Sequence, residues 1–192
     1  MIAALFVETG GCYFGLDGVD PWDRERDARL YAGPHPVVAH PPCERWGNFA
    51  TWHGGRLGDD DGCFEAALHA VKRYGGVIEH PANSRAWKAY GLPKPDGHGW
   101  RQDFFGWSCA VEQGHYGYPA RKATWLFYSG RAEPPPLIWG HSPQVLPARR
   151  LAERGYASAM RCGMVANMSS RQRQRTPPAF RDVLIEIARG CA

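Results

Sequence analysis

A short apolar run, Pro36-Val37-Val38-Ala39, ends abruptly at Pro41-Pro42, and Cys43, Glu44, Arg45 and Trp46 follow at once. A proline ring fixes φ and removes the backbone donor, so neither a strand ladder nor a regular helix interior can run through this pair. The stretch therefore predicts a buried strand that stops in a stiff loop and holds a thiol just beyond it. Loops past the strand ends are where open α/β sheets bind their ligands. Arg45 beside the thiol would favour the nucleophilic thiolate. A cysteine in a proline-bounded turn can equally be a small structural hydrophobe, and the residues downstream have to choose between the two.

The 192 residues suffice for one domain, 1–192, with a core of its own. A hydrophobic share of 44% with 22% charged residues argues against wholesale disorder. The six cysteines stand singly, with no CxxC pair, and Met1 to Val7 lacks the basic start of a secretory signal. Free thiols in a reduced, cytoplasmic compartment are the expectation. No apolar run approaches transmembrane length, so no membrane partner is expected. A formal charge of +4 permits a polyanionic partner without demanding one. The charge is uneven, however. Arg149, Arg150, Arg154, Arg161, Arg171, Arg173, Arg175 and Arg181 face only Glu153 between residues 149 and 181. A solvated helix face could carry this pattern, but arginine without lysine favours phosphate contact through forked guanidinium groups.

Ile2 to Val7 predicts a strand, Thr9-Gly10-Gly11 a turn, and Cys12 to Leu16 either a returning strand or a helix start. Asp17 to Asp23, with Pro21, is expected as loop, and Arg24 to Tyr31 has a helical look. Trp46 to Gly62 is expected as a long, site-forming loop. Asp61 is placed to N-cap a helix from about Gly62 to Tyr74, with Phe64, Ala67, Leu68 and Val71 on one face. Gly75-Gly76 ends it, and Val77-Ile78-Glu79 follows as a second buried strand tipped by His80-Pro81. The repeated order of strand, loop, helix and strand has parallel βαβ logic. Ser84 to Tyr90 predicts a short helix, Gly91 to Gly99 a loop, and Ser108 to Gln113 and Ala123 to Tyr128 two more strands. Phe104, Phe105 and Trp107 are expected in the core rather than as a base-stacking platform. The last helix is expected from Ala179 to Arg189, with Phe180, Val183, Leu184, Ile187 and Ala188 at helical spacing.

Three chemistry-bearing side chains thus stand in order: Cys43 after a strand, Glu79 at a strand end and Arg121 before a strand. Here the chain resembles the DNA cytosine-5 methyltransferases, especially their short phage-type members. Pro41-Pro42-Cys43 is similar to the family's Pro-Cys nucleophile loop, Glu79-His80-Pro81 to its Glu-Asn-Val/Pro segment, and Gly117 to Thr124 to the segment bearing its catalytic arginine. Leu5-Phe6, Gly10-Gly11 and Gly15-Leu16 resemble its glycine-rich opening, and Arg175-Thr176-Pro177-Pro178-Ala179-Phe180 its C-terminal end. The departures are equally visible. Glu44 stands where glutamine is usual, and His80 where asparagine is. Pro119 and Ala123 flank Arg121 in place of Gln and Arg. The span from Leu16 to Cys43 is short for the usual adenosine-binding units.

The resemblance implies a Rossmann-like, methyltransferase-type, mostly parallel sheet flanked by helices, with a truncated cofactor half. It implies cytosine chemistry on DNA, duplex or single-stranded, through a covalent adduct. Cys43 would attack, Glu79 would share a proton with or hydrogen-bond the base, and Arg121 would steady the developing charge. S-adenosylmethionine would be held by Phe6, Glu8, Gly10, Gly11 and Asp20. Pro42, Arg45, Trp46, Lys122 and Thr124 would line the base, with Trp46 or Trp52 packing on it or filling the gap left by a flipped nucleotide. Arg171, Arg173 and Arg175, within a small basic extension at 129–175, would hold phosphates, which positions but does not specify. A partner chain could supply the specificity. The alternatives are pyrimidine chemistry without a methyl donor and a DNA-binding relic without turnover. His40, Cys43, His53 and Cys63, with His80 or His115, could be arranged as a zinc set, but their spacings match none of the usual signatures.

Overall fold

The computed structural model describes residues 1–47 and 50–191, and of residue 53 the backbone only. In chain order it contains β1 (Ile2–Leu5), β2 (Val19–Trp22), β3 (Val37–Ala39), α1 (Cys63–Tyr74), β4 (Gly76–Pro81) and α2 (Arg85–Ala89). Then come β5 (Arg101–Asp103), β6 (Gly106–Glu112), β7 (Ala123–Ser129), α3 (Ala148–Cys162), α4 (Ser170–Gln174) and α5 (Pro178–Arg189).

The strands form one seven-stranded sheet in the order β2-β1-β3-β4-β7-β6-β5. The architecture is α/β, but the sheet is mixed rather than mostly parallel. β2, β1, β3 and β4 run parallel, while β7, β6 and β5 pair antiparallel in sequence from β4. The cause is local. Parallel neighbours need a crossover long enough to carry the chain back, and α1 supplies one between β3 and β4. Between β5 and β6 only Phe104-Phe105 intervenes, so the chain must return as a hairpin. Between β6 and β7 the segment contains a single 3-10 turn, Gln113–Tyr116, and no helix long enough to cross the sheet.

Alternation along the strands builds two cores. Ala3, Leu5, Val37, Ala39, Ile78 and Phe127 face α1 and α2, where Phe64, Ala67, Leu68, Val71, Ala86 and Trp87 meet them. Ile2, Ala4, Val38, Val77, Leu126 and Tyr128 face α5, against Phe180, Leu184, Ile185, Ile187 and Ala188. Coverage on both sides explains why β1 and β3 are buried along their whole length and read as unbroken apolar runs. Gly76, at φ 132°, sits where β3 and β4 approach so closely that a β-carbon would collide with the Val37 carbonyl.

Several expectations change. Asp17–Asp23 contains strand β2, whose edge position tolerates Pro21. Cys12–Leu16 forms turns, neither strand nor helix. Arg24–Tyr31 contributes a single 3-10 turn, Ala28–Leu30. α1 begins after Gly62, and the carboxylate capping its first turn is that of Asp60, which accepts from the Phe64 amide at 2.9 Å, not that of Asp61. Phe104 and Phe105 are not core: they form the β5–β6 tip, Phe104 97% exposed, whereas Trp107 packs against the α5-side core. The 129–175 extension holds α3, bent at Gly155 (φ 76°), with Ala159 its one buried residue.

Candidate active site

Because β3 and β4 pair in parallel with Ala39 opposite Ile78, the next residues, His40 and Glu79, emerge together at the C-terminal edge of the sheet. By alternation both point toward the α5 side, while His80 points to the α1 side. The β3 ladder runs one bond further, from the His40 amide to the Leu5 carbonyl at 3.0 Å, and Pro41-Pro42 then end it. Cys43 therefore stands just beyond the strand.

His40 Nδ1 lies 2.9 Å from Glu79 Oε2, and its Nε2 lies 2.8 Å from the Tyr13 hydroxyl. Gln113 Nε2 donates to Glu79 Oε1 at 3.1 Å and to Thr124 Oγ1 at 3.0 Å. Burial alone would raise the Glu79 carboxyl, but the hydrogen bond from His40 and the Lys122 ammonium hold it below the ordinary range. Cys43 is exposed as a residue, yet its sulfur is withdrawn from water. That desolvation, reinforced by Glu79 and then Glu44, pushes the thiol up, with Lys122 opposing weakly. The resting group is thus a thiol. Arg45 does not activate it: its guanidinium reaches back to the Ala50 carbonyl at 3.3 Å.

The third predicted side chain is not brought to the other two. Arg121 turns from Glu79 toward the Ser142 carbonyl (3.3 Å) and Glu112 (3.8 Å), a cluster in which His141 and Ser142 also bind Glu112. Its neighbour Lys122, at φ 45°, carries its charge to the site instead. Burial lowers the Lys122 amine, opposed by Glu79 and Cys43, which places it within electrostatic reach of both. The amine donates to the Arg175 carbonyl at 2.6 Å and lies 4.8 Å from the Tyr118 ring centre. Thr124 is buried and supports Gln113. Trp46 is also buried, with its indole on Asp60, so it is part of the core and does not face a base; Trp52 is exposed. Pro42 is exposed beside Cys43. Arg171, Arg173 and Arg175 are exposed on the segment that crosses this edge, tied down by Tyr118 to the Arg173 carbonyl (3.2 Å) and by Arg171 to Glu8 (2.8 Å).

Of the residues expected to hold S-adenosylmethionine, Phe6, Glu8, Gly10 and Gly11 follow β1 and Asp20 lies within β2, and both acids are engaged by neighbouring side chains. Asp20 Oδ1 accepts from Arg26 at 2.6 Å and Oδ2 from the Trp22 indole at 2.7 Å. Glu8 Oε1 takes both Nε and Nη2 of Arg171. Gly11 serves a tight turn, its amide on the Glu8 carbonyl at 2.8 Å, while Gly10 is in the left-handed region (φ 66°). Phe6, at φ 58°, is half-buried against the α1-side core. Asp20, with both oxygens occupied, is not free to bind a ribose, and Glu8 is tied to Arg171 through Oε1, so these residues as arranged do not fit the cofactor.

Among the described residues no three His, Cys, Asp or Glu side chains gather as a metal would require; His53, from the zinc set, has its side chain outside the described residues. Among them, too, no helix is long and apolar enough to cross a membrane. Sequence reasoning missed Tyr13 and Gln113 and weighed His40 only as a zinc ligand. Only the position of His40, directly before Pro-Pro-Cys, carried any signal. Comparison with protein-family models and with curated proteins finds no match to this chain.

Proposed function

We propose that the protein is a DNA base-modifying enzyme acting on cytosine through a covalent adduct between Cys43 and carbon 6 of the ring. The observation that carries this reading is that Cys43, in the loop beyond β3, and Glu79, on the neighbouring parallel strand β4, lie within electrostatic reach of each other and of Lys122. A thiol beside an ionised carboxylate has a proton acceptor at hand, and a nearby ammonium favours the thiolate. Addition at carbon 6 makes carbon 5 electron-rich. Glu79 is suited to the ring nitrogen, and Lys122 takes the charge-steadying role that the motif likeness gave to Arg121. The exposed Arg173 and Arg175 on the crossing segment suit phosphates flanking an extruded base, whereas Arg171 is held by Glu8.

Methylation at carbon 5 is the outcome that the likeness to cytosine-5 methyltransferases implies. The engagement of Asp20 and Glu8 favours a second reading, in which the same adduct serves a reaction without a methyl donor.

The test uses oligonucleotides carrying 5-fluorocytosine or 2-pyrimidinone at the target position, single- and double-stranded, with and without S-adenosylmethionine. Mass spectrometry would find a denaturation-resistant adduct on the peptide containing Cys43, absent from Cys43→Ser. An adduct that requires the methyl donor supports methylation, and one formed without it supports the second reading. No adduct on any oligonucleotide overturns both.

A further inference from the structure

Tyr13, His40 and Glu79 form a continuous hydrogen-bonded line, and its polarity follows from the chemistry of its ends. Glu79 is ionised, and a carboxylate can only accept. The His40 Nδ1 contact must therefore be an N–H donating to Glu79 Oε2. In a neutral imidazole the lone pair then lies on Nε2, so the group 2.8 Å away, the Tyr13 hydroxyl, donates to it. Burial raises the phenol far above its ordinary value, so it keeps the proton it donates. The other groups around the line are Cys43 and Glu44 on the His40 loop, His80 on β4, Lys122 before β7, Cys12 beside Tyr13, and Arg181 and Asp182 on α5.

We propose that Tyr13 and His40 are positioning residues of this site: Glu79 selects the Nδ1–H form of His40, the Tyr13 hydroxyl anchors the ring through Nε2, and the anchored His40 in turn aims Glu79 between the cysteine and the base. The inference rests on the covalent reading above. In that reaction the Cys43 S–H bond breaks and its proton passes to Glu79. The S–C6 bond forms as the C5–C6 π bond opens, a C4–C5 π bond replaces C4–N3, and N3 takes the proton from Glu79. One proton travels from sulfur to nitrogen, and no outside acid, base or oxidant is needed. Glu79 must face both ends of that path. His40 and Gln113, on its two oxygens, leave it one orientation. Without the hydroxyl the imidazole keeps its Nδ1–H toward the carboxylate but loses its anchor at Nε2, and a ring free to tilt no longer holds Glu79 in one orientation.

Nitrogen-15 NMR of histidine-labelled protein, with His40 assigned by its loss in His40→Asn, reads the tautomer without any substrate. The expected result is Nδ1–H in the native protein and in Tyr13→Phe, with the Nε2 signal moved downfield in Tyr13→Phe by the loss of its hydrogen bond. A native Nε2–H tautomer overturns the proposal. Adduct formation at Cys43 should slow roughly tenfold or more in Tyr13→Phe and His40→Ala. His40→Asn, whose amide can still donate to Glu79, should recover part of that loss. Native rates in both Tyr13→Phe and His40→Ala overturn the proposal as well. Should native protein form no adduct at all, the covalent reading fails, while the NMR result still decides the relay.

Discussion

At Glu79 one carboxylate acts on two neighbours in opposite senses: it raises the Cys43 thiol and stabilises the Lys122 ammonium. Removing its charge should therefore free the thiol. Glu79→Gln is expected to speed alkylation of Cys43 by iodoacetamide several-fold at pH 7.5, by lowering the thiol pKa. Lys122→Met should slow it, because the cation that favours the thiolate is gone. Rates against pH, followed by mass spectrometry of the Cys43 peptide, check both variants, and identical profiles would show that the three groups do not interact. Cys43 and Glu79 were legible as candidates because strand ends leave a mark in apolar patterning. That Lys122 rather than Arg121 comes within reach of Glu79 was not. Which of two adjacent cations faces the site depends on the left-handed backbone at Lys122 and on Glu112, which draws Arg121 away.

Among the elements, α5 is the one whose sequence and structure agree most closely. Pro178 opens it at a position that needs no amide donor, and of the residues at helical spacing Phe180, Leu184, Ile187 and Ala188 are buried and Val183 partly so. Leu184→Ala should cost about 2–5 kcal/mol, from lost burial and the cavity left behind. Phe104→Ser, at the exposed hairpin tip, should stay within about 0.5 kcal/mol. Urea midpoints compare the two directly, and equal losses would contradict the burial pattern. The elements that escaped prediction share a cause. β2 contains a proline tolerated only because nothing pairs beyond it, and β5 exists through its hairpin with β6 rather than through apolar character of its own.

For the whole molecule, pH sets stability through buried groups in separate windows. His80 is 1% exposed, enclosed by Phe64 and Trp87, with no well-formed hydrogen bond at either ring nitrogen, and burial, opposed by Glu79 and the Pro42 backbone, pushes its pKa down to about 4 from 6.5. The fold thus favours the neutral ring. That contribution is complete above pH 6.5 and is lost as pH falls toward 4, with a slope of at most about 1.4 kcal/mol per pH unit and a total of about 3 kcal/mol. Glu79 and Glu112, both held below their ordinary 4.5, act lower: their stabilisation is present above that value and is lost as pH falls through their folded pKa values. Between pH 4.5 and 6.5, His80→Phe should therefore flatten the stability profile. It should also raise stability at pH 7 by about 1 kcal/mol, because a buried group without a well-formed hydrogen bond is replaced by an apolar ring. Urea unfolding across this range checks it; an unchanged slope would mean that His80 does not titrate there.

By itself the sequence determined where chain direction and burial change: the proline stop before Cys43, the apolar runs of β1, β3 and β4, and the amphipathic α1 and α5. These are properties of neighbouring residues, written in periodicity and in the covalent limits of proline and glycine. The tertiary structure alone decided that the sheet is half antiparallel, that Asp20 and Glu8 are engaged by Arg26 and Arg171, and that Tyr13 meets His40. Such contacts join residues far apart in the chain, and strand order and alternation bring them to one edge. No local pattern records that distance in space.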